Sequence, residues 1–332
     1  MFYHGRSRQK RLRLIPILIC LSFLFLINYV RQMYNPSTSN PIPVEKSLNR
    51  SLLLQINGSI KQLGQAYPIY IINLPSRTDR RTESIALMQT IDLEAFLVPA
   101  YSIHSSQIAR YNRKRTNLFF TATELACWAS HMRVWLAVAQ DTSSDNDDRW
   151  SVIFEDDIDL EMETVRIVQS FPSSIWTSAD LIYLGYCANP PGKLIYQSST
   201  HIHRVHQAIH PSCTHAYAIR TRTARILISS LSSPSQPIDN AIVQLVKEQH
   251  LIVYSIHPPL AIQKPVSVNN PSDVNLIDRQ SWRYRIQLSI YTFFQWWNGV
   301  EITEKLHQSA AERANLTRAK QWRTVHETGI WK

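Results

Sequence analysis

Three consecutive carboxylates follow a short apolar stretch in the middle of the chain. Residues 152–154 have the apolar, β-rich pattern of a buried strand, and Glu155, Asp156 and Asp157 come directly after it. Carboxylates this close raise one another's pKa unless a cation neutralises them. Because alternate residues of an extended chain point the same way, Glu155 and Asp157 are expected to share a divalent metal ion, with Asp156 on the other side. The alternative interpretation is a solvated acidic turn.

Basic side chains cluster after another predicted strand. The apolar run 69–72 predicts a buried strand that ends at Asn73, and a helix is predicted over 76–89. Arg77 and Arg80 lie just past the end of this strand, where guanidinium groups can pair with a diphosphate. The alternative is a solvated helix start in which neighbouring acidic residues balance the arginines.

A capping box at Thr121–Glu124 predicts the start of a helix that continues to about residue 139. Apolar residues at helical spacing form its predicted buried face; they are Leu125, Trp128, Met132, Trp135 and Leu136. Ser130 and His131 are the polar exceptions on this helix, and a lone helical histidine is more often a satisfied buried group than a catalyst. Asp239 lies at the start of another predicted helix, 237–249, where a capping role is the simplest interpretation.

Strands and helices alternate between residues 67 and 259, which predicts an α/β domain with a mainly parallel central sheet. The other predicted strands and helices, and a basic loop at 110–115, follow from the same apolar patterns. The strands are 96–100, 180–185, 216–219 and 251–255, and the helices are 164–170 and 222–231. No dinucleotide-binding, Walker or nucleophile-elbow motif is present in the sequence.

The first 31 residues carry six basic and no acidic side chains, so the rest of the chain is only weakly basic, which excludes the charge footprint of a nucleic-acid binder. The uncharged run 14–30 is preceded by basic residues and predicts a transmembrane signal anchor, with residues 1–13 in the cytosol. A cleaved signal peptide is the alternative, but no small-x-small cleavage site follows the run. Its shortness favours the membranes of the endoplasmic reticulum or Golgi.

The remaining chain is divided by composition into a stem or linker (31–66), a globular domain (67–277) and an aromatic, basic extension (278–332). Glycosylation sequons begin at Asn49, Asn57 and Asn315, in keeping with a lumenal orientation. An oxidising lumen would allow a disulfide between Cys187 and Cys213. Cys127 is expected to pack as a small apolar side chain.

Four sequence blocks, taken in order, resemble glycosyltransferase family 25, which includes lipooligosaccharide and procollagen galactosyltransferases. The blocks are IINLPSRTDRR (71–81), ELACWASHMRVW (124–135), VIFEDDIDL (152–160) and CTHAYAIRTRTAR through PIDNAI (213–242). The resemblance covers roughly residues 68–263. It implies a GT-A-like fold and a metal-dependent, inverting galactosyl transfer, with UDP-galactose as donor and a glycan or glycoprotein hydroxyl as acceptor.

The resemblance also implies roles for individual residues. Glu155 and Asp157 fall on the family's acidic motif, which would hold Mn²⁺ or Mg²⁺. The residues expected near the nucleotide or substrate are Asn73, Arg77, Arg80, Ser130 and His131. Transfer needs a base for the acceptor hydroxyl, and Asp239, which matches the family's Pro-x-Asp position, is assigned that role by elimination.

Two other functions compete with transfer. A catalytically silent relative that acts as a binding or adhesion protein is suggested by Pro75 and Ser76, which replace a charged residue common in the family's first block. A metal-dependent glycosidase or phosphatase would use the acidic cluster equally well, but it does not explain the order of the four blocks.

Overall fold

The computed structural model describes residues 48–114, 121–140, 149–187, 191–248, 250–264 and 306–316. Within these residues the strands form one nine-stranded and one two-stranded sheet. In chain order they are β1 Leu54–Ile56, β2 Ala66–Asn73, β3 Ala95–Pro99, β4 Trp150–Glu155, β5 Ile158–Leu160, β6 Leu181–Cys187, β7 Pro191–Gln197, β8 Arg204–Ala208, β9 Ser212–Arg220, β10 Val253–His257 and β11 Ala261–Gln263. The helices are α1 Thr78–Thr90, α2 Ser106–Lys114, α3 Ala122–Gln140, α4 Thr164–Gln169, α5 Ser173–Ser178, α6 Thr221–Ser230, α7 Ile238–Lys247 and α8 Ala310–Arg313, and a 3-10 turn spans Arg50–Leu52.

The large sheet has the order β1-β3-β2-β4-β9-β6-β10-β8-β7. Strands β3, β2 and β4 pair in parallel, as do β6 and β10, while β9 lies antiparallel between β4 and β6. The α/β class is confirmed. Six of the nine strands run in one direction, yet five of the eight pairings are antiparallel, so the sheet is mixed rather than uniformly parallel. A buried apolar run has the same pattern in either chain direction, so nothing in the pattern of β9 indicates that this strand is reversed.

Both faces of the central strands are buried, which explains their continuous apolar runs. In β2, Ile69 and Ile71 belong to one hydrophobic core, whereas Tyr70 and Ile72 belong to the core on the opposite face. Helix α1 packs on the first face and α3 on the second, where Trp128 and Trp135 are almost fully buried. Burying an aliphatic side chain such as that of Ile69 contributes about 1.5–3 kcal/mol to stability.

The start of α3 has the predicted capping box. The backbone N–H of Thr121 donates to Glu124 Oε2 (2.7 Å), and the backbone N–H of Glu124 donates to Thr121 Oγ1 (3.1 Å). The predicted basic loop at 110–115 is wrong in part, because helix α2 occupies most of it. The helix has few apolar residues, of which Ile108 is buried, so apolar periodicity missed it.

Two segments that the sequence assigns to the flanks of the domain are part of the fold. Strand β1, within the predicted stem, pairs with β3. Residues 306–316, within the predicted C-terminal extension, pack beside β5, where Ser309 Oγ donates to Asp159 (2.6 Å) and the backbone N–H of Gln308 donates to Glu161 (2.8 Å). Buried carboxylates that receive such hydrogen bonds hold the segment in place.

The predicted signal anchor at 14–30 lies outside the described residues, as do residues 31–47 of the predicted stem. Among the helices that the structure describes, none combines the length and the apolar character that crossing a membrane requires.

Candidate active site

The candidate site lies at the edge of the sheet where the parallel strands have their carboxyl ends. Strand β2 ends there at Asn73 and β4 at Glu155. Because β9 runs the other way, its first residues lie at the same edge, and Thr214 Oγ1 donates to Glu155 Oε1 (3.1 Å). Ligands of open α/β sheets bind at this edge.

The three acidic residues have separate surroundings. Asp156 accepts hydrogen bonds from Asn73 Nδ2 (2.7 Å) and from Arg80 Nη1 (3.0 Å), whereas Glu155 faces α3 and β9. Asp157 Oδ2 lies 3.2 Å from the same Arg80 nitrogen and accepts from Gln263 Nε2 (3.2 Å) on β11. Arg80 therefore neutralises part of the charge of both aspartates and fixes the turn that follows β4.

The other oxygen of Asp157 has no such support. Asp157 Oδ1 is buried and has no hydrogen-bond partner among the residues that the structure describes. Burial, followed by the charge of Glu155, raises the pKa of Asp157 to about 7 in spite of Arg80. A divalent cation would satisfy this oxygen and remove the repulsion, so Asp157 and Glu155 suit a metal ion with oxygen ligands. No compact group of three metal-ligating side chains in the described ranges contains both residues.

A chain of hydrogen bonds fixes Glu155 from the side of α3. Trp135 Nε1, which can only donate, donates to the Tyr217 hydroxyl (2.8 Å), and that hydroxyl lies 2.9 Å from His131 Nδ1. We assign the Tyr217 proton to the bond with Nδ1, so that His131 Nε2–H donates to Glu155 Oε1 (3.2 Å). Burial acts to raise the pKa of Glu155, but the His131 contact and the Thr214 hydrogen bond help to outweigh it, and the net shift is downward.

Asp239 is held near the same edge by a disulfide. The disulfide between Cys187 and Cys213, which the sequence left open, is present. The backbone N–H of Cys213, a residue with a φ of 64°, donates to Asp239 Oδ2 (3.3 Å), and the N–H of Asn240 donates to Oδ1 (2.8 Å). Burial raises the pKa of the Cys127 thiol, and the negative charges of Glu155 and then of Asp239 raise it further. The carboxylates of Asp239 and Glu155 therefore act on the same thiol.

The profile of Glycosyltransferase family 25, described as an LPS biosynthesis protein, matches residues 66–242. This is somewhat more than half of the chain. The chain belongs to glycosyltransferase family 25. The match starts in β2 and ends in α7, so it includes the acidic triplet, His131 and Asp239. Membership confirms the resemblance and supports glycosyl transfer from a nucleotide-sugar donor to an acceptor.

Three residues that the family resemblance placed near the substrate are buried and bonded within the protein. Asn73 receives a hydrogen bond from Arg81 Nε (3.1 Å) in addition to its bond to Asp156, and it is 3% exposed. Ser130 Oγ accepts from the backbone N–H of Tyr101 (2.9 Å) and donates to a helix carbonyl. Arg80 is 6% exposed and paired with the aspartates. The structure thus gives Asn73, Arg80 and Ser130 supporting positions behind the acidic turn.

Arg77 lies at the start of α1 and pairs with Asp79, whose carboxylate is 3.0 Å away and partly exposed. This pairing agrees with the charge-balance interpretation of the arginine cluster. The structure brings Glu155, Asp157 and His131 together at one edge of the sheet. Of the two arginines, Arg80 pairs with the aspartates of the acidic turn, and Arg77 pairs with Asp79 of α1.

Three partners of the site were not predicted from the sequence; they are Thr214, Tyr217 and Gln263. Thr214 and Tyr217 lie within the CTHAYAI segment that carries the family resemblance, so this segment was the available signal. Gln263 lies on the short strand β11, whose pairing with β5 is set by contacts far apart in sequence. Nothing in its local pattern marks it.

Proposed function

We propose that this family 25 member transfers galactose from UDP-galactose to a hydroxyl of a glycan or glycoprotein, with inversion at the anomeric carbon and with Mn²⁺ or Mg²⁺ held by Glu155 and Asp157. The observation that carries the proposal is the buried Asp157 Oδ1, which has no hydrogen-bond partner in the described part of the chain and lies beside Glu155. An acidic pair at the carboxyl edge of the sheet suits a hard cation better than zinc, because its ligands are oxygens.

The metal ion would supply positive charge to the diphosphate as the bond to the sugar breaks. The side chains prepare the two carboxylates for this role. Arg80 and Gln263 hold Asp157 through Oδ2, which leaves Oδ1 for a ligand. His131 Nε2–H fixes the orientation of Glu155. Arg77, at the start of α1, is the arginine that we assign to the donor diphosphate.

Asp239 is proposed as the base that accepts the proton of the acceptor hydroxyl. The two backbone N–H groups of Cys213 and Asn240 orient its carboxylate, and each carboxylate oxygen keeps a second lone pair for the acceptor. A single base acting on the attacking hydroxyl is what a one-step, inverting transfer requires. The mixed sheet, with its acidic turn after β4, agrees with the GT-A-like fold that we propose.

We also propose that the enzyme is a type II membrane protein of the Golgi or endoplasmic reticulum, anchored by residues 14–30. The disulfide suits an oxidising lumen, and the asparagines of the three sequons, Asn49, Asn57 and Asn315, are exposed. Glycosylation of Asn49 or Asn57 is therefore expected. Protease treatment of sealed vesicles should remove residues 1–13 and spare the rest; the reverse pattern would contradict this topology.

The proposed activity is tested by incubating the purified full-length chain with a panel of nucleotide sugars and measuring release of the nucleoside diphosphate. We expect release from UDP-galactose in the presence of Mn²⁺ or Mg²⁺, and faster release with a suitable acceptor. Asp239→Asn should bind the donor but lose transfer. A folded wild-type protein that binds and cleaves no nucleotide sugar would contradict the proposal and favour the binding or adhesion protein.

A further inference from the structure

A second group of metal-ligating side chains lies beside the acidic pair. Cys127 and His131 are four residues apart on α3, so they lie on one face of the helix. Glu155 approaches this face from the end of β4. One ligand atom from each of the three side chains lies within 4.8 Å of the others. None of the chemistry proposed above uses the Cys127 thiol.

We propose that Cys127, His131 and Glu155 form a binding site for a thiophilic divalent cation, with Zn²⁺ as the ion of best fit. A thiolate, an imidazole and a carboxylate are the three ligand types that zinc takes in proteins. The two hard cations proposed for the acidic pair prefer oxygen ligands and would not select a thiolate. Three protein ligands leave the fourth position of a tetrahedral zinc site open for water, whereas structural zinc sites fill all four positions with protein ligands.

The surroundings of His131 suit this role. A ligating histidine usually donates its other ring N–H to a nearby acceptor. With zinc bound, His131 would carry its proton on Nδ1 instead of Nε2, and the Tyr217 hydroxyl, 2.9 Å from Nδ1, would accept that bond together with the one from Trp135 Nε1. Zinc would then take Nε2, the nitrogen that faces Glu155. Binding would release the thiol proton of Cys127 to solvent, and the two anionic ligands would balance the charge of the ion. The Glu155 side chain is 22% exposed, whereas that of His131 is 1% exposed, so the carboxylate side of the site gives the ion a route in.

The described ranges contain one more sulfur-containing group of this kind, and its chemistry excludes it. Cys187, Cys213 and His215 also lie close together, but both sulfurs are joined in the disulfide and have no thiolate to offer. Cys127 is the free cysteine of the described residues. The zinc site is therefore confined to α3 and the end of β4.

Because Glu155 would serve either ion, zinc and the hard cation should exclude one another. Zinc would hold the Glu155 carboxylate on the side of α3, and Asp157 would then lose its partner in binding the hard cation. We therefore expect zinc to inhibit transfer at fixed Mn²⁺. This consequence rests on the proposed function, whereas zinc binding itself does not.

The test is a titration of the purified full-length chain with Co²⁺, a spectroscopic substitute for zinc, in the absence of any nucleotide sugar. Wild-type protein should give a thiolate-to-cobalt charge-transfer absorption that one equivalent of Zn²⁺ abolishes. Cys127→Ser should lose this absorption. Replacing a residue that only hydrogen-bonds a metal ligand lowers metal affinity by about 10–100-fold. Cys127 is proposed to bind the ion directly, so Cys127→Ser should weaken zinc binding by at least about 100-fold.

Asp157→Asn is the matched control, because it alters the hard-cation pair but none of the three zinc ligands, and it should keep the absorption. A second measurement needs no variant: Zn²⁺ should protect Cys127 of the wild-type protein from alkylation, as read from its peptide by mass spectrometry. No charge-transfer absorption in folded wild-type protein, or unchanged alkylation with Zn²⁺, would overturn the proposal. Neither result depends on transferase activity.

Discussion

Arg80 and Asp156 form a buried ion pair in which Nη1 lies 3.0 Å from Oδ1, and the same nitrogen lies 3.2 Å from Asp157. This contact ties α1 to the turn after β4. From the sequence, Arg80 is assigned to the donor diphosphate, and that assignment stays a prediction. In the structure the guanidinium group of Arg80 lies against the acidic turn, where its charge would hold the two aspartates. The distinction is measurable, because a supporting residue and a ligand-binding residue fail in different ways when they are replaced.

We predict that Arg80→Ala lowers the free energy of unfolding by about 3–5 kcal/mol, since breaking a buried pair leaves an uncompensated charge. The matched variant Arg77→Ala should lower it by only about 0.2–1 kcal/mol, because its partner Asp79 is partly exposed. Urea unfolding of both variants measures the difference. An Arg80→Ala protein of wild-type stability that has lost donor binding would restore the original expectation.

The disulfide is predicted to support both stability and the position of Asp239. It closes a segment of 26 residues, so the double replacement of Cys187 and Cys213 by Ser should cost about 3–4 kcal/mol. The transfer rate should fall by more than the loss of folded protein accounts for. Without the disulfide, the Cys213 N–H would no longer be held in place to donate to the Asp239 carboxylate.

Thermal melting with and without reductant, alongside the transfer rate at a temperature where the protein is folded, measures both effects. Cys127→Ser is the control, since it leaves the bridge intact and should melt lower on reduction as the wild type does. A double variant with unchanged transfer would show that Asp239 does not depend on the bridge.

A third prediction concerns His257 on β10, whose ring nitrogens bond the hydroxyls of Tyr186 (2.6 Å) and Ser255 (2.8 Å). Burial, and then the neighbouring His206, lower the pKa of His257 to about 4 from 6.5. Between these two values the unfolded chain binds more protons at this site than the folded one. His257 should therefore reduce stability as the pH falls from about 6.5 to about 4.

The comparison of wild type with His257→Gln isolates this contribution. The carboxylates whose pKa is raised by burial increase stability as the pH falls over part of the same range. Both proteins contain these carboxylates, so their effect cancels in the difference between the two unfolding free energies. The stability advantage of the wild type should shrink as the pH falls from about 6.5 and level off near pH 4. A constant difference between the two unfolding free energies across this range would contradict the assignment.

Local patterns predicted the central elements well. The strand before the acidic triplet, the capping box of α3 and its buried tryptophans follow from apolar spacing and side-chain chemistry over a few residues. These elements placed Glu155 at the end of a strand and His131 on the buried side of a helix. The sequence left the Cys187–Cys213 disulfide open as one that an oxidising compartment would allow, and the structure contains it.

The supporting contacts were not predicted, because they join residues far apart in sequence. Arg80 and Asp156 are separated by 76 positions, and Ser309 and Asp159 by 150. Nothing in the spacing of either segment marks its partner. The direction of β9 was hidden for a related reason: a strand buried on both faces carries no sign of whether its neighbours are parallel or antiparallel.

The central claim is that Glu155 and Asp157 hold the divalent cation on which donor binding and transfer depend. The most direct measurement is calorimetric titration of UDP-galactose into wild-type and Asp157→Asn proteins, each with Mn²⁺ and with chelator. A thermal melt of each metal-free protein serves as the control for folding. The substitution preserves the shape of the side chain but removes one charge of a repelling pair, so the metal-free variant should melt no lower than the wild type.

The account predicts metal-dependent donor binding and transfer in the wild type, and the loss of both in a folded Asp157→Asn protein. Full transfer by Asp157→Asn, or equal transfer by the wild type in chelator, would contradict it and leave the acidic triplet as a structural turn.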